Sequence, residues 1–506
     1  MSLFNLQSGS AKVVIILFSR IIVALVGIVF VPNYVRIIGT ESYGLVAFYG
    51  TLVGSLAILD LGLSTAISRQ VAILRAQENK EREMKDLVFS VEIIYWIIGL
   101  ILGLVIVILA NPIAVYWVKA KDLPVHQIEK TIMLMGAVFA FQFPASIYNG
   151  VMIGLEKQIP NAAITVIATI LKAAGVIFVL VYISPTVESY FIWQVIISLF
   201  LIVVLRIYVW RKLNEKSSKV VFSVTQLKTI WRFATGMTGI SLITFFLTQI
   251  DKIVVSKMVL LEFVGYYNLA YMLSTVISQV IAPIQPVIFP KFASMVSQNR
   301  HTELVALYHK SCRWVAIIVF PIGFTLILFA REILLLWTKN PTLTMHTAPI
   351  LQVFAAGTIC NCMLWIPYSY LLARGVTKFT IYQNIIASII LVPLLFRWTA
   401  KYGAIGASFV WLSVNTGYIL ITIPLFHHLF LKGELLNWYK RDVALPFIAA
   451  GLLALGAKYF QMKILPDIST IWFAALLLVV SSIYIVIVPE LRAFLNQLKP
   501  KLKNSV

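Results

Sequence analysis

Apolar runs of about twenty residues, separated by short polar connections, recur along almost the whole chain, a length that matches the hydrocarbon core of a bilayer when coiled as α-helix. About 14 such spans are readable, centred near residues 22, 56, 97, 140, 171, 197, 243, 275, 322, 360, 387, 416, 450 and 480. The first begins at about Lys12, carries Arg20 and has no small-residue cleavage site behind it, so it is expected to be a retained helix and not a signal peptide. An even number of spans puts both termini on the same side.

The longest polar connection runs from Arg206 to Arg232 and separates the first six spans from the next six. Within it Ser223 and Gln226 have capping-box spacing, and Val224, Leu227 and Trp231 share a helical face. That pattern predicts a short amphipathic helix on the inner membrane surface, tethering two bundles. The expected organisation is an N-terminal lobe at 1–210, a linker at 211–230, a C-terminal lobe at 231–430, and two further spans with a basic tail at 431–506.

The two lobes carry matching residues at a constant offset of 221. Arg36, Glu41 and Gly44 correspond to Lys257, Glu262 and Gly265; Gly136 to Gly357; Gly154 and Lys157 to Gly375 and Lys378. In each half E-x-x-G falls at the entry to the second span, and G-x-x-K falls after the fourth. Six intervening spans keep the halves in the same orientation, with the pseudo-symmetry axis along the membrane normal. The fold class predicted is therefore an all-α polytopic membrane protein, two pseudo-symmetric six-helix bundles around a central cleft plus two C-terminal helices. Such a cleft is a transporter layout, with the site expected near the midplane.

Composition narrows the class. Hydrophobic residues make up 60% and charged residues 12% of the chain, about half the charged fraction of a soluble globule, and the mean hydropathy is +0.93. The net charge of +21 is distributed by topology: with the N-terminus inside, about 27 of the 41 Lys and Arg fall in cytoplasmic segments and about 12 outside. That surplus reads as orientation and attraction to anionic lipid, and nucleic acid binding is excluded for want of a soluble domain to present a basic face. Cys312, Cys360 and Cys362 lack zinc spacing and read as small core residues, while His427 and His428, ending a span, read as interfacial. No metal site or catalytic constellation emerges.

Two cations lie within spans. Lys172 sits on the order of 15 Å from either end of the fifth, where insertion costs roughly 3 kcal/mol, so something must offset it. The default inference is an anion site; capping by backbone carbonyls or neutralisation by burial are the alternatives. Arg20 lies about eight residues into the first helix, and Asp60 about eight residues from the inner end of the second, so the two share a depth. Arg20 is open to three readings: a structural pair with Asp60, a contact to a substrate phosphate, or snorkelling to the inner surface. Asp60 is also a candidate for carrying a coupling proton or sodium ion. Asp251, near the outer end of the seventh helix, has Lys252 and Lys257 beside it and reads first as a local pair, second as a coupling site. Pro283, Pro286 and Pro290 crowd the eighth span, where a hinge and a permanent kink are both open.

The run Asp60-Leu-Gly62-Leu followed by Arg69, and the run Asp251-Lys-Ile-Val-Val-Ser-Lys257 leading through Gly265-Tyr-Tyr-Asn-Leu-Ala270, resemble polysaccharide-biosynthesis flippases of the Wzx type. The resemblance extends to the three-proline eighth span and covers nearly the whole chain. This family shares a superfamily with MATE-type multidrug exporters and the lipid II flippase. The resemblance implies movement of an undecaprenyl-pyrophosphate-linked oligosaccharide, such as an O-antigen or related repeat unit, from the inner to the outer leaflet of the cytoplasmic membrane by alternating access of two lobes. It implies no enzymatic step and no cofactor beyond coupling to a proton or sodium gradient. The partners implied are the lipid-linked substrate, membrane lipids and the polysaccharide polymerase machinery.

A pyrophosphate crossing hydrocarbon needs a cationic environment, which Lys172 and Arg20 would supply. The polar lining for the sugar would include Gln142, Asn149, Asn384 and Asn415. The main rival is a MATE-type drug or cation antiporter, which should favour intramembrane acids over a central lysine. External loops of about 15 residues or shorter leave little room for a glycosyltransferase or polymerase.

Overall fold

A computed structural model describes residues 9–464, apart from 61, 79 and 214–219. The described residues form helices joined by short turns, with no strand among them. In chain order the first half comprises α1 (Gly9–Ile38), α2 (Thr40–Leu56), α3 (Leu63–Arg75), α4 (Glu81–Ile108), α5 (Val125–Gln142), α6 (Ala145–Gly154), α7 (Gln158–Tyr182) and α8 (Val187–Leu213). The second half follows with α9 (Val224–Met258), α10 (Leu261–Ile281), α11 (Ile284–Ser297), α12 (His301–Leu328), α13 (Ala330–Thr338), α14 (Pro341–Met363), α15 (Trp365–Ala373), α16 (Thr377–Tyr402), α17 (Ala404–Gly417), α18 (Ile423–Phe430) and α19 (Leu445–Ile464). Among the described residues, 11 helical stretches are long and apolar enough to cross a membrane, and the bent pair α10–α11 makes a twelfth. The span expected near residue 243 falls within α9, which at 35 residues is long enough to cross. The span expected near residue 480 lies outside the described residues.

The internal repeat is explicit in the helix boundaries. Adding 221 to the limits of α2, α3 and α4 gives 261–277, 284–296 and 302–329, against 261–281, 284–297 and 301–328 observed for α10, α11 and α12. Packing repeats too. In the first half α3 packs on α6, α4 on α5, α5 on α8 and α7 on α8; in the second, α11 packs on α15, α12 on α14, α14 on α17 and α16 on α17.

Glycine sets the closest of these approaches. Gly99 and Gly103, four residues apart on α4, lie against the Ala140 and Gly136 carbonyls of α5, and a Cβ on Gly103 would stand 2.8 Å from Gly136 O. Gly150 and Gly154 of α6 meet the Ser64 and Ser68 carbonyls of α3 in the same way, at 2.5 and 2.6 Å. Small residues at this spacing let backbones touch where lipid supplies no hydrophobic drive for association.

By contact the chain divides into two compact units, Met1–Gly265 and Tyr266–Val506. The first unit includes α9, which packs on α2, α3 and α4. Here the expected short surface helix is corrected. Ser223 does cap, its hydroxyl accepting from the Gln226 amide at 3.3 Å, but the helix it starts continues unbroken to Met258 because nothing in that stretch removes a backbone donor. The segment before it is pinned to α4: Val221 N donates to Asp86 Oδ1 at 2.8 Å and Ser223 N to Ser90 Oγ at 2.8 Å.

The three-proline span is bent. Pro283 caps α11, Pro286 lies in its first turn, Pro290 lies inside it, and the axes of α10 and α11 meet at 41°. The first half breaks at the equivalent place without proline, through a 3₁₀ turn at Ala57–Asp60 and Gly62 at φ 72°. The bend therefore belongs to the architecture of the repeat, and proline is one of two ways this chain makes it.

Candidate functional site

α7 carries its polar residues in a line. Asn161, Thr165, Thr169 and Lys172 fall within about 80° of one another at 100° per residue, a stripe about 16 Å long. The apolar residues Ile167, Ile170, Leu171, Phe178 and Val181, exposed by 40–57%, lie on the other side of the helix and suit lipid. Thr165 and Thr169 donate to the carbonyls of Asn161 and Thr165, each at 2.8 Å, leaving hydroxyl lone pairs outward. Lys172 heads the stripe, half-buried, and forms no ion pair or hydrogen bond with any described residue. Capping by carbonyls, one alternative for this lysine, is not found among the described residues.

The backbone around Lys172 is held from both sides. Tyr34 on α1 donates to Ala173 O at 2.9 Å, and Trp193 on α8 donates to Leu171 O at 3.1 Å. Gly175 makes room for the Trp193 ring, since a Cβ there would stand 2.2 Å from it. The Tyr34 bond also sets the register of α1 against α7. Arg20 stands 14 residues before Tyr34 on α1, about 21 Å of helical rise away from the level of this bond. It is exposed.

The proposed pairing of Arg20 with Asp60 is not formed. Asp60 closes the 3₁₀ turn, where its Oδ2 accepts from Ser64 N at 3.4 Å and Ser64 Oγ at 2.7 Å, and its Oδ1 from Tyr95 Oη at 2.6 Å and Ser146 Oγ at 3.3 Å. Its carboxylate is turned toward α3, α4 and α6 and is saturated there. Glu92, buried in α4, is likewise committed: Oε1 accepts from Arg206 Nε at 2.5 Å and Tyr148 Oη at 2.9 Å, Oε2 from Trp210 Nε1 at 2.7 Å. Asp251 is half-buried in α9. Its neighbour Lys257 is engaged by the Tyr116 carbonyl and the Trp117 ring, while Lys252 donates to Thr248 O at 3.1 Å.

Of the four neutral candidates, two fall in each unit. Gln142 Oε1 accepts from Tyr49 Oη at 2.9 Å, and Asn149 is half-buried on α6. In the second unit Asn384 lines a cavity of about 290 Å³, and Asn415, fully buried, supports its wall by accepting from Asn361 Nδ2 at 2.8 Å. Gln285, Trp365, Thr380, Gln383 and Tyr418 also line this cavity, and the apolar-span pattern does not single them out. The stripe on α7 has its own signal in the sequence, since the 161/165/169/172 spacing is a helical period.

A separate polar cluster ties α12 to the segment between α18 and α19. His309 contacts Asp442 at 2.5 Å and Glu434 at 3.1 Å, and Arg313 donates to Asp442 at 3.3 Å. Glu434 is held below the usual carboxylate range, first by the Asn437 amide at 2.8 Å and then by His309, against the opposing effect of desolvation. His427 corrects the interfacial reading: it is buried, bonded to Tyr308 Oη at 3.2 Å and to Ile423 O at 2.9 Å, whereas His428 is exposed.

Residues 10–296 match the family described as polysaccharide biosynthesis protein. Similar curated proteins include a putative O-antigen transporter of Shigella flexneri, 22% identical over 396 residues that span 78% of this chain and 92% of that one. The succinoglycan biosynthesis transport protein ExoT of Rhizobium meliloti (strain 1021) is 24% identical over 443 residues, 85% of this chain and 82% of its own. Among solved structures, the lipid II flippase MurJ in an inward closed conformation aligns with a TM-score of 0.65 at 16% identity, covering 95% of this chain and 98% of its own. An inward-facing MATE family multidrug transporter aligns at 0.56 with 15% identity, covering 89% and 96%. These two share the fold.

Proposed function

The chain belongs to the polysaccharide biosynthesis protein family, and on that premise we propose that it is a flippase moving an undecaprenyl-pyrophosphate-linked oligosaccharide, an O-antigen or related repeat unit, across the cytoplasmic membrane. The relatives named for O-antigen and succinoglycan transport support the substrate class. The observation that carries the reading is Lys172, an intramembrane cation without a partner among the described residues, at the head of a polar stripe on the side of α7 opposite its exposed apolar residues. The pyrophosphate engages Arg20 near the inner surface and then Lys172, each cation lowering the cost of desolvating the anion, while the polyprenyl tail stays in lipid.

In this reading the lobes at 1–210 and 231–430 alternate access, with bending at Pro283, Pro286 and Pro290. Both termini are cytoplasmic, no bond is made or broken, and a proton or sodium gradient drives the cycle. The polymerase machinery receives the product at the outer face. A MATE-type cation antiporter would need an acid free to meet its substrate; Asp60, Glu92 and Asp442 are instead each committed to donors of their own unit.

The test is complementation of a host lacking the chromosomal copy. Lys172→Ala should reduce surface glycan roughly tenfold or more with protein abundance near normal, and Lys172→Arg should restore part of it. Unimpaired export by Lys172→Ala overturns the reading, as would drug hypersensitivity of the deletion strain without glycan loss.

A further inference from the structure

The cavity in the second unit shares amides and hydroxyls with the stripe on α7 but lacks the stripe's cation. Among the described residues, no Asp, Glu, Lys, Arg or His lines it. Its polar wall is made of amides and hydroxyls, Gln285, Asn361, Thr380, Gln383, Asn384 and Thr422, and its apolar wall includes the aromatic residues Trp365, Tyr368 and Phe379. From this we infer that the cavity is the subsite for the sugar part of the substrate, binding one or two neutral rings; the inference rests on the flippase reading and deepens it.

Four observations converge on a built site. The wall is pre-ordered by a relay of bonds: Trp365 Nε1 donates to Asn361 Oδ1 at 3.3 Å, Asn361 Nδ2 to Asn415 Oδ1 at 2.8 Å, and Asn415 Nδ2 to Trp411 O at 2.8 Å. Asn361 thereby keeps one amide N–H uncommitted, and Gln285, Thr380 and Thr422 have no side-chain hydrogen bond to any described residue. Backbone irregularities deliver three of the lining residues: Gln285 stands just past Pro283 in the 41° bend, and Tyr418 and Thr422 open and close a π-helical turn. That turn precedes Pro424, whose missing N–H breaks the α-helical ladder, and π turns of this kind recur at functional sites.

The fourth observation is size. A volume of about 290 Å³ is at the small end of ligand sites, enough for a mono- or disaccharide but not for a lipid tail and its headgroup together. Sugars present hydroxyls around the rim and C–H groups on the faces, which suits amides beside aromatic rings. The repeat makes the division sharper: Pro393 occupies the position equivalent to Lys172, and Ala163 the position equivalent to Asn384.

The experiment compares two probes on full-length protein in lipid nanodiscs: undecaprenyl pyrophosphate carrying the host's own oligosaccharide, and undecaprenyl pyrophosphate without sugar. Wild type should bind the glycosylated probe about tenfold more tightly. Asn384→Ala and Thr380→Ala should each erode that preference and leave affinity for the bare lipid unchanged, Trp365→Phe should retain most of it, and Lys172→Ala should weaken both probes alike. Equal binding of the two probes by wild type, or an undiminished preference in Asn384→Ala with Thr380→Ala combined, overturns the sugar subsite while leaving the flippase reading intact. Failure of wild type to bind either probe overturns both.

Discussion

Tyr34 reaches across from α1 to donate a hydrogen bond to the carbonyl of Ala173, 2.9 Å away and one residue beyond Lys172. Trp193 does the same from α8 to Leu171, one residue before it. A lysine side chain has four rotatable carbons and gains precision only from the backbone that carries it, so these two bonds fix where the charge can be presented.

That clamp is testable without touching the charge. Tyr34→Phe and Trp193→Phe each delete one donor and should cost about 1 kcal/mol, seen as a small fall in melting temperature of the purified protein. Because both act on the same turn of α7, their effects on glycan export should be less than additive. Full export by the double variant, in a background where Lys172→Ala is defective, would show that the lysine does not depend on the clamp.

Much of this architecture was legible from residue patterns alone, and particular residues show why. The E-x-x-G and G-x-x-K matches at an offset of 221 signalled the repeat, and the structure supplies the first motif's physical content. Glu41 accepts the backbone N–H groups of Lys121, Asp122 and Leu123, while Gly44 lets Leu261 approach so closely that a Cβ would stand 2.2 Å from its carbonyl oxygen. Gly265, its repeat equivalent, sits against Gly44 itself, its own Cβ position 3.5 Å from Gly44 Cα.

What hydropathy could not resolve was direction around a helix axis. Arg20 and Asp60 share a depth by counting, but depth says nothing of azimuth, and the 3₁₀ turn with left-handed Gly62 sends Asp60 toward Tyr95 and away from α1. The amide cavity was only half visible for the same reason: Asn384 and Asn415 stand out in apolar spans, whereas Gln285 joins them only through a bend whose angle no local pattern specifies.

Since Asp60 and Arg20 are not paired, their variants should differ in kind. Asp60→Ala strands the Tyr95 hydroxyl and the Ser64 amide in the interior of the first unit, a loss of roughly 1–3 kcal/mol that should lower protein abundance. Arg20→Gln removes an exposed charge and should leave abundance unchanged while reducing export. The swap Arg20→Asp with Asp60→Arg should be worse than either single variant. Restoration of export by that swap, measured as surface glycan at matched protein levels, would reinstate the ion pair.

Glu92 and Arg206 make the last prediction, and it turns on an asymmetry. The glutamate side chain is 5% exposed and the arginine 54%. Removing the acid in Glu92→Ala frees a guanidinium that can turn to the inner headgroup layer, so the loss is mainly that of the acceptor for Tyr148 and Trp210, about 2 kcal/mol. Removing the base in Arg206→Ala leaves a buried carboxylate without its cation, and stranding a buried charge costs about 3 kcal/mol or more. Arg206→Ala should therefore melt at a lower temperature than Glu92→Ala in detergent, and adding Glu92→Gln to Arg206→Ala should recover part of the loss, because a neutral amide needs no counter-charge. A lower melting temperature for Glu92→Ala than for Arg206→Ala would mean that Arg206, not Glu92, is the partner left stranded, and would overturn the view that burial of the acid is what holds this end of α4 to α8.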